Sequence, residues 1–158
     1  MNSELLVAGA LAAWNSNLER ADKLFKNLNE VDLEESVAPG RNRLIYLWGH
    51  LSATHDRMLT LLGIADRIHP EFDEVFLASP DRAQPLPSAE TVRAWWDEVN
   101  ARIKQGVGGF STNDWLARHT AVSEEDFARE PLRNRFSILL TRTNHLAYHI
   151  GQTALVRK

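Results

Sequence analysis

Residues 144–152 read NHLAYHIGQ, and two of them, His145 and His149, stand four positions apart in a stretch with helical patterning. Each helical residue turns about 100°, so side chains four apart lie about 40° from one another and share a face. Two imidazoles on one face, joined by a third from a neighbouring helix, form a common set of ligands for a divalent metal. Imidazole nitrogens suit Zn, Ni, Fe and Cu. Three protein ligands leave a position for water or substrate, where the ion lowers the pKa of a bound water or thiol. The same spacing also serves histidines that are merely hydrogen-bonded at the edge of a helix.

The second helical stretch, RNRLIYLWGHLSATHDRMLTLL, offers two candidates for the third ligand. Leu44, Leu47, Leu51, Met58 and Leu62 form its apolar stripe. His55 falls about 40° from the centre of that stripe and His50 about 100° away, on its flank. Periodicity makes His55 the more buried of the two and leaves the choice of ligand open. His69, before Pro70, and His119 fall in connections and are expected to be solvated. Arg142 and Gln152 flank the histidine pair and are candidates to orient a ligand.

The elements that must carry these residues are helical throughout. Residues 3–29 repeat Leu5, Ala8, Leu11, Leu18, Leu24 and Leu28 at threes and fours. Pro39-Gly40 breaks the chain before residues 41–62, and Gly63 is a suitable stop. Residues 63–87 hold four of the six prolines and form a long connection, with a short helical turn expected inside it. Ser88 is an N-cap for a third helix running to Gly108-Gly109, and Glu90 falls in its first turn. STNDWLARH adds a helical turn, VSEEDFAREPLRN reads as a polar link, and residues 134–157 form the last helix. No stretch alternates long enough for a strand. The expected architecture is all-α: a single domain over residues 1–158, built as a four-helix bundle with a long crossover.

Several other features read as structural. Trp95, Trp96 and Trp115 are expected in the core, and Asp56 with Arg57 as a solvated ion pair. GVGGF follows a helix rather than a strand and fails as a phosphate loop, and no nucleophile elbow is present. A hydrophobic fraction of 44% and a charged fraction of 25% are ordinary for a globular chain. The net charge of −3 and the lack of a dense basic run argue against nucleic acid as a partner. Cysteine is absent, which removes disulfides, thiolate ligands and a cysteine nucleophile. LLVAGALAAW near the start lacks a basic n-region and runs into a charged amphipathic helix, so neither a signal peptide nor a membrane span is expected. We expect a cytoplasmic protein.

GRNRLIYLWGHLSATHDRMLTLLG and RTNHLAYHIGQTALVRK resemble the two signature helices of the DinB/YfiT-like metalloenzyme superfamily. GIADRIHPEFDEVF and AETVRAWWDEVNARI are similar to its crossover and third helix, so the resemblance spans essentially the whole chain. Its most specific part is H-x3-H-x-GQ combined with GHL. The resemblance implies a four-helix bundle whose metal is held by one histidine of the second helix and two of the last. Here those are His50, His145 and His149, which resolves the choice against His55. Members include bacillithiol S-transferases and a mycothiol-dependent maleylpyruvate isomerase, whose metal activates a low-molecular-weight thiol. The resemblance therefore implies a divalent ion, Zn or Ni first and Fe or Mn next, with a low-molecular-weight thiol as a possible second cofactor. It implies transferase-like or hydrolase-like chemistry on a small molecule, in a homodimer. The competing reading is a non-catalytic, homodimeric stress-response module that binds a metal or small ligand.

Overall fold

The computed structural model describes residues 3–156, and among them the regular structure is helical. Four long helices carry the core: α1 (Ser3–Phe25), α3 (Leu44–Leu61), α4 (Ala89–Val107) and α7 (Arg135–Ala154). Three short ones, α2 (Glu30–Leu33), α5 (Thr112–Leu116) and α6 (Glu124–Arg129), sit in the connections. Between α3 and α4 the chain makes a 3₁₀ turn at Pro70–Phe72 and a π-helical turn at Glu74–Ala78. Among the described residues, β-type pairing is limited to isolated bridges at Ser36–Arg43 and Arg118–Asn134. Among the described residues no helix is long and apolar enough to cross a membrane.

Local chemistry explains where each helix begins and ends. The first helix stops at Phe25, short of the expected residue 29, because Asn29 starts a new one: its side chain accepts from Asp32 N at 2.9 Å while its own N–H donates to Asp32 Oδ2 at 2.9 Å. Residues 41–43 do not join α3. Leu44 N bonds Glu35 O at 2.9 Å, Val37 N bonds Asn42 O at 3.1 Å, and the loop turns at Gly40 (φ 70°). Arg43 is instead anchored on buried Asp81, through its backbone N–H at 2.7 Å and its guanidinium at 2.7 Å. At the far end, Ile64 N reaches Leu59 O and Gly63 N reaches Thr60 O, with Gly63 in the left-handed region that such a stop requires. Ser88, Ser111, Ser123 and Asn134 cap α4, α5, α6 and α7. The last helix closes at Ala154; the expected extension to Arg157 reaches beyond the described residues.

One apolar core joins the long helices. Helix α3 is buried on nearly every side, packed on α4 and α7 and beneath the crossover, and α1 packs along α7. Phe25 stacks on Trp48 at 4.9 Å and meets Trp96 edge-on at 6.2 Å, while Trp96 Nε1 donates to Asp22 at 2.6 Å. Trp95, Trp96 and Trp115 are all buried, as expected of them.

The crossover is tied down by charge. Asp56 is fully buried, not part of a solvated pair with Arg57. Its carboxylate accepts the backbone N–H groups of Ile68 (2.8 Å) and His69 (3.1 Å) and lies 3.4 Å from Arg67 Nε. Arg57 turns outward to Asp73 at 2.8 Å, which also receives Arg67. A buried carboxylate needs such donors, and the loop supplies them. His69 is correspondingly not a free loop residue: it stacks on Phe72 at 5.0 Å and bonds Glu71 Oε1 at 2.7 Å. His119 is likewise half-buried, its backbone N–H bonded to Arg133 O at 3.3 Å.

Removing Asp56 strands the backbone N–H groups of Ile68 and His69 and leaves Arg67 Nε without its carboxylate. Asp56→Ala should therefore cost about 3 kcal/mol in urea unfolding; a loss below about 1 kcal/mol would show that the crossover does not depend on this carboxylate.

Candidate metal centre

Helices α3 and α7 bring His50, His145 and His149 together at the edge of the core. His50 Nε2 lies 3.1 Å from His145 Nε2, and His149 Nε2 lies 3.0 Å from the same atom. The rings meet edge-on, with interplanar angles of 68°, 73° and 89°, so nitrogens rather than ring faces point inward. His50 and His145 are half-buried, and His149 keeps 9% of its exposure.

The opposite nitrogens determine what those inward atoms present. His50 Nδ1 is 2.8 Å from Phe76 O, and a carbonyl only accepts, so Nδ1 carries the proton and Nε2 of the neutral ring is a lone pair. His149 Nδ1 donates to Gln152 Oε1 at 2.8 Å, an amide orientation matched by Gln152 Nε2 donating to Tyr148 OH at 3.0 Å. Its Nε2 is a lone pair too. His145 faces both, and its own Nδ1 is buried without a partner. A proton on His145 Nε2 satisfies one neighbour and leaves the other lone pair facing a nitrogen. A divalent cation satisfies all three.

Tetrahedral Zn–N bonds of about 2.0–2.1 Å place ligand nitrogens about 3.3 Å apart, close to the separations seen here. Two of the three rings also have the outer hydrogen bond that fixes a ligand's tautomer. The three-histidine group is thus competent to hold one divalent ion.

Burial favours the neutral form of the three rings. Burial lowers the pKa of His50, against the opposing bond to Phe76. Burial, then the charges of His149, His50 and Arg142, lowers that of His145 to about 3. Burial also lowers that of His149. Neutral imidazole is the form that ligates.

His55 is placed otherwise. It is fully buried between Trp14 (4.9 Å) and Trp96 (5.0 Å), donates from Nδ1 to Asn100 Oδ1 at 2.8 Å, and has no place in the cluster. Burial lowers its pKa to about 3.

Two supporting features are not read from histidine spacing. The π-helical turn presents the Phe76 carbonyl to His50, and Tyr46 OH, bonded to Ser79 O at 2.7 Å, buttresses that turn. Gly49 allows the approach: a Cβ there would stand 2.1 Å from Phe76 Cε1. The sequence signal was a glycine in the middle of an apolar helix, where it costs about 1 kcal/mol relative to alanine. Beyond Gln152, a groove of about 490 Å³ is lined by Arg41, Asn42, Leu47, Tyr148 and Gln152 among others.

The DinB superfamily model matches residues 13–153, and the chain belongs to that superfamily. No curated protein matches the chain.

Gly49→Ala should push Phe76 aside, free His50 Nδ1 and weaken Zn or Ni binding at least tenfold, with helix content retained; unchanged affinity would mean that the Phe76 contact does not orient His50. The metal-free protein should also lose stability in acid. Because the folded-state pKa values of His55 and His145 lie below the ordinary value of about 6.5, the unfolded chain takes up more protons between pH about 6.5 and about 3. Stability should be highest above that window and fall through it; urea titrations flat from pH 7 to 4 would contradict this.

Proposed function

We propose that this protein is a divalent-metal-dependent enzyme of transferase-like or hydrolase-like chemistry, with His50, His145 and His149 as the metal ligands and a small molecule as substrate. The observation that carries the reading is the convergence of three imidazole Nε2 atoms, two of them fixed as lone pairs by Phe76 O and Gln152 Oε1. Zn or Ni best suits an all-imidazole set, with Fe or Mn as further candidates. A bound ion would supply Lewis acidity, drawing the pKa of a low-molecular-weight thiol or a water toward neutrality.

The remaining work belongs to the chain. Phe76 O and Gln152 hold His50 and His149 in one tautomer and one orientation. Buried Tyr46 and Phe76 lie against His50 and limit water on that side. Tyr148 OH fixes Gln152 and lines the neighbouring groove, which has the size of a small-molecule pocket.

A second reading is a non-catalytic homodimeric binding module, as in a stress response. Apolar side chains left in solvent favour it: Leu5 and Leu6 on α1, and Tyr148 on α7, which packs against α1.

The test is thiol transfer by Zn- or Ni-loaded protein, with small cysteine-based thiols and a chlorodinitrobenzene electrophile. The enzyme reading expects turnover above the metal-free protein, with His149→Ala losing both turnover and at least tenfold in metal affinity while keeping its far-UV helix signal. Full metal affinity in His149→Ala would remove it from the ligand set. Metal binding with no turnover across thiol and hydrolytic substrates would favour the binding module.

A further inference from the structure

Among the described residues, the half-buried guanidinium of Arg142 is left without an acceptor. Arg142 lies three residues before His145 on α7, about 4.5 Å along the helix axis. Among the described residues it makes no hydrogen bond or ion pair, and its Nε is buried without a partner. The other inward-turned arginines each reach an acceptor, although Nε of Arg67, Arg93 and Arg135 is likewise buried without a partner. Arg43 sits on Asp81, Arg67 on Asp73, Arg93 on Leu28 O at 2.7 Å, and Arg135 on Asp114 O at 3.3 Å.

Its position is set by the helix pair. His50 on α3 meets His145 and His149 on α7, while Arg57, two turns further along α3, is a charge that acts on Arg142. Arg142 lies about one helical turn from His145 on α7, and its charge is felt at His50, His55 and His145. No carboxylate offsets it; burial and Arg57 both disfavour its charged form. The nearby carboxylates are committed, Asp56 to the crossover backbone and Asp73 to Arg57 and Arg67.

A partly desolvated guanidinium without an acceptor is costly, and its planar fork matches a carboxylate in bidentate fashion. We propose that Arg142 is the anion-binding residue of this site, receiving the carboxylate of a small organic acid whose other end reaches the face of His50, His145 and His149. A carboxylate suits the site better than a phosphate dianion, because Arg57 and Arg67 share Asp73, with Asp56 3.4 Å from Arg67 Nε, and the single guanidinium of Arg142 is left to receive the anion. The inference rests on reading the three-histidine cluster as the functional site and adds the class of its substrate.

Succinate and its uncharged analogue succinamide are the probes, titrated into metal-free wild-type protein and followed by amide NMR shifts. Working without metal separates this test from that of the metal reading. Saturable shifts centred on residues 139–149 are expected with succinate and none with succinamide. Arg142→Gln should weaken succinate at least tenfold and Arg142→Lys by less, both with unchanged Zn stoichiometry. Equal succinate binding in Arg142→Gln, equal shifts from succinamide, or loss of zinc in a folded Arg142→Gln would overturn the proposal. If Arg142→Gln does not fold, succinate protection of Arg142 from phenylglyoxal in the wild-type chain decides: protection supports the assignment and its absence refutes it.

Discussion

The hydrogen bond from His50 Nδ1 to the Phe76 carbonyl joins the long helix α3 to the crossover and determines what His50 presents to α7. Three neutral imidazoles with nitrogens about 3 Å apart do not gather unaided, since lone pairs on neighbouring nitrogens repel. Each ring must be held from behind. Phe76 O holds His50, and Gln152 holds His149; His145, between them, has no acceptor behind it and depends on its neighbours and on whatever occupies the common point. Removing the Phe76 contact frees one of the two constraints on the lone pairs and leaves the cluster to a single proton on His145.

That contact depends in turn on how the crossover is pinned. Asp56, from within α3, accepts the backbone of Ile68 and His69, and Asp81 receives Arg43 just before the same helix. Between these anchors the chain has room for one π-helical turn, closed by Ser79 N to Glu74 O at 2.9 Å. Phe76 enters the core where Gly49 offers no side chain. The buried charges in this part of the molecule serve position more than net stability, since a buried ion pair repays its desolvation only when every partner is present. Arg142, without an acceptor among the described residues, departs from that pattern and lies about one helical turn from His145.

Much of this was legible in sequence. The 3.6-residue periodicity marked the four long helices, and the i,i+4 spacing placed His145 and His149 on one face. The choice between His50 and His55 was not legible from periodicity, because an apolar stripe reports burial and a metal site needs an edge. His55 lies deeper, among Trp14, Trp96 and Asn100, and only the resemblance of the GHL and H-x3-H-x-GQ segments separated the two. Asp56 was misread as solvated because its partners are backbone N–H groups twelve and thirteen residues away, which carry no side-chain signature. The Phe76 carbonyl was invisible for the same reason, and the helix-interior Gly49 was its one trace.

The central claim is that the three imidazoles hold an ion. Elemental analysis of tag-free protein, purified without added metal or chelator and then supplemented, tests it most directly when wild type is run beside His145→Ala and His55→Ala. The account predicts about one divalent metal per chain in wild type and in His55→Ala, and none in His145→Ala. Metal retained in His145→Ala, or absent from wild type after supplementation, would contradict it.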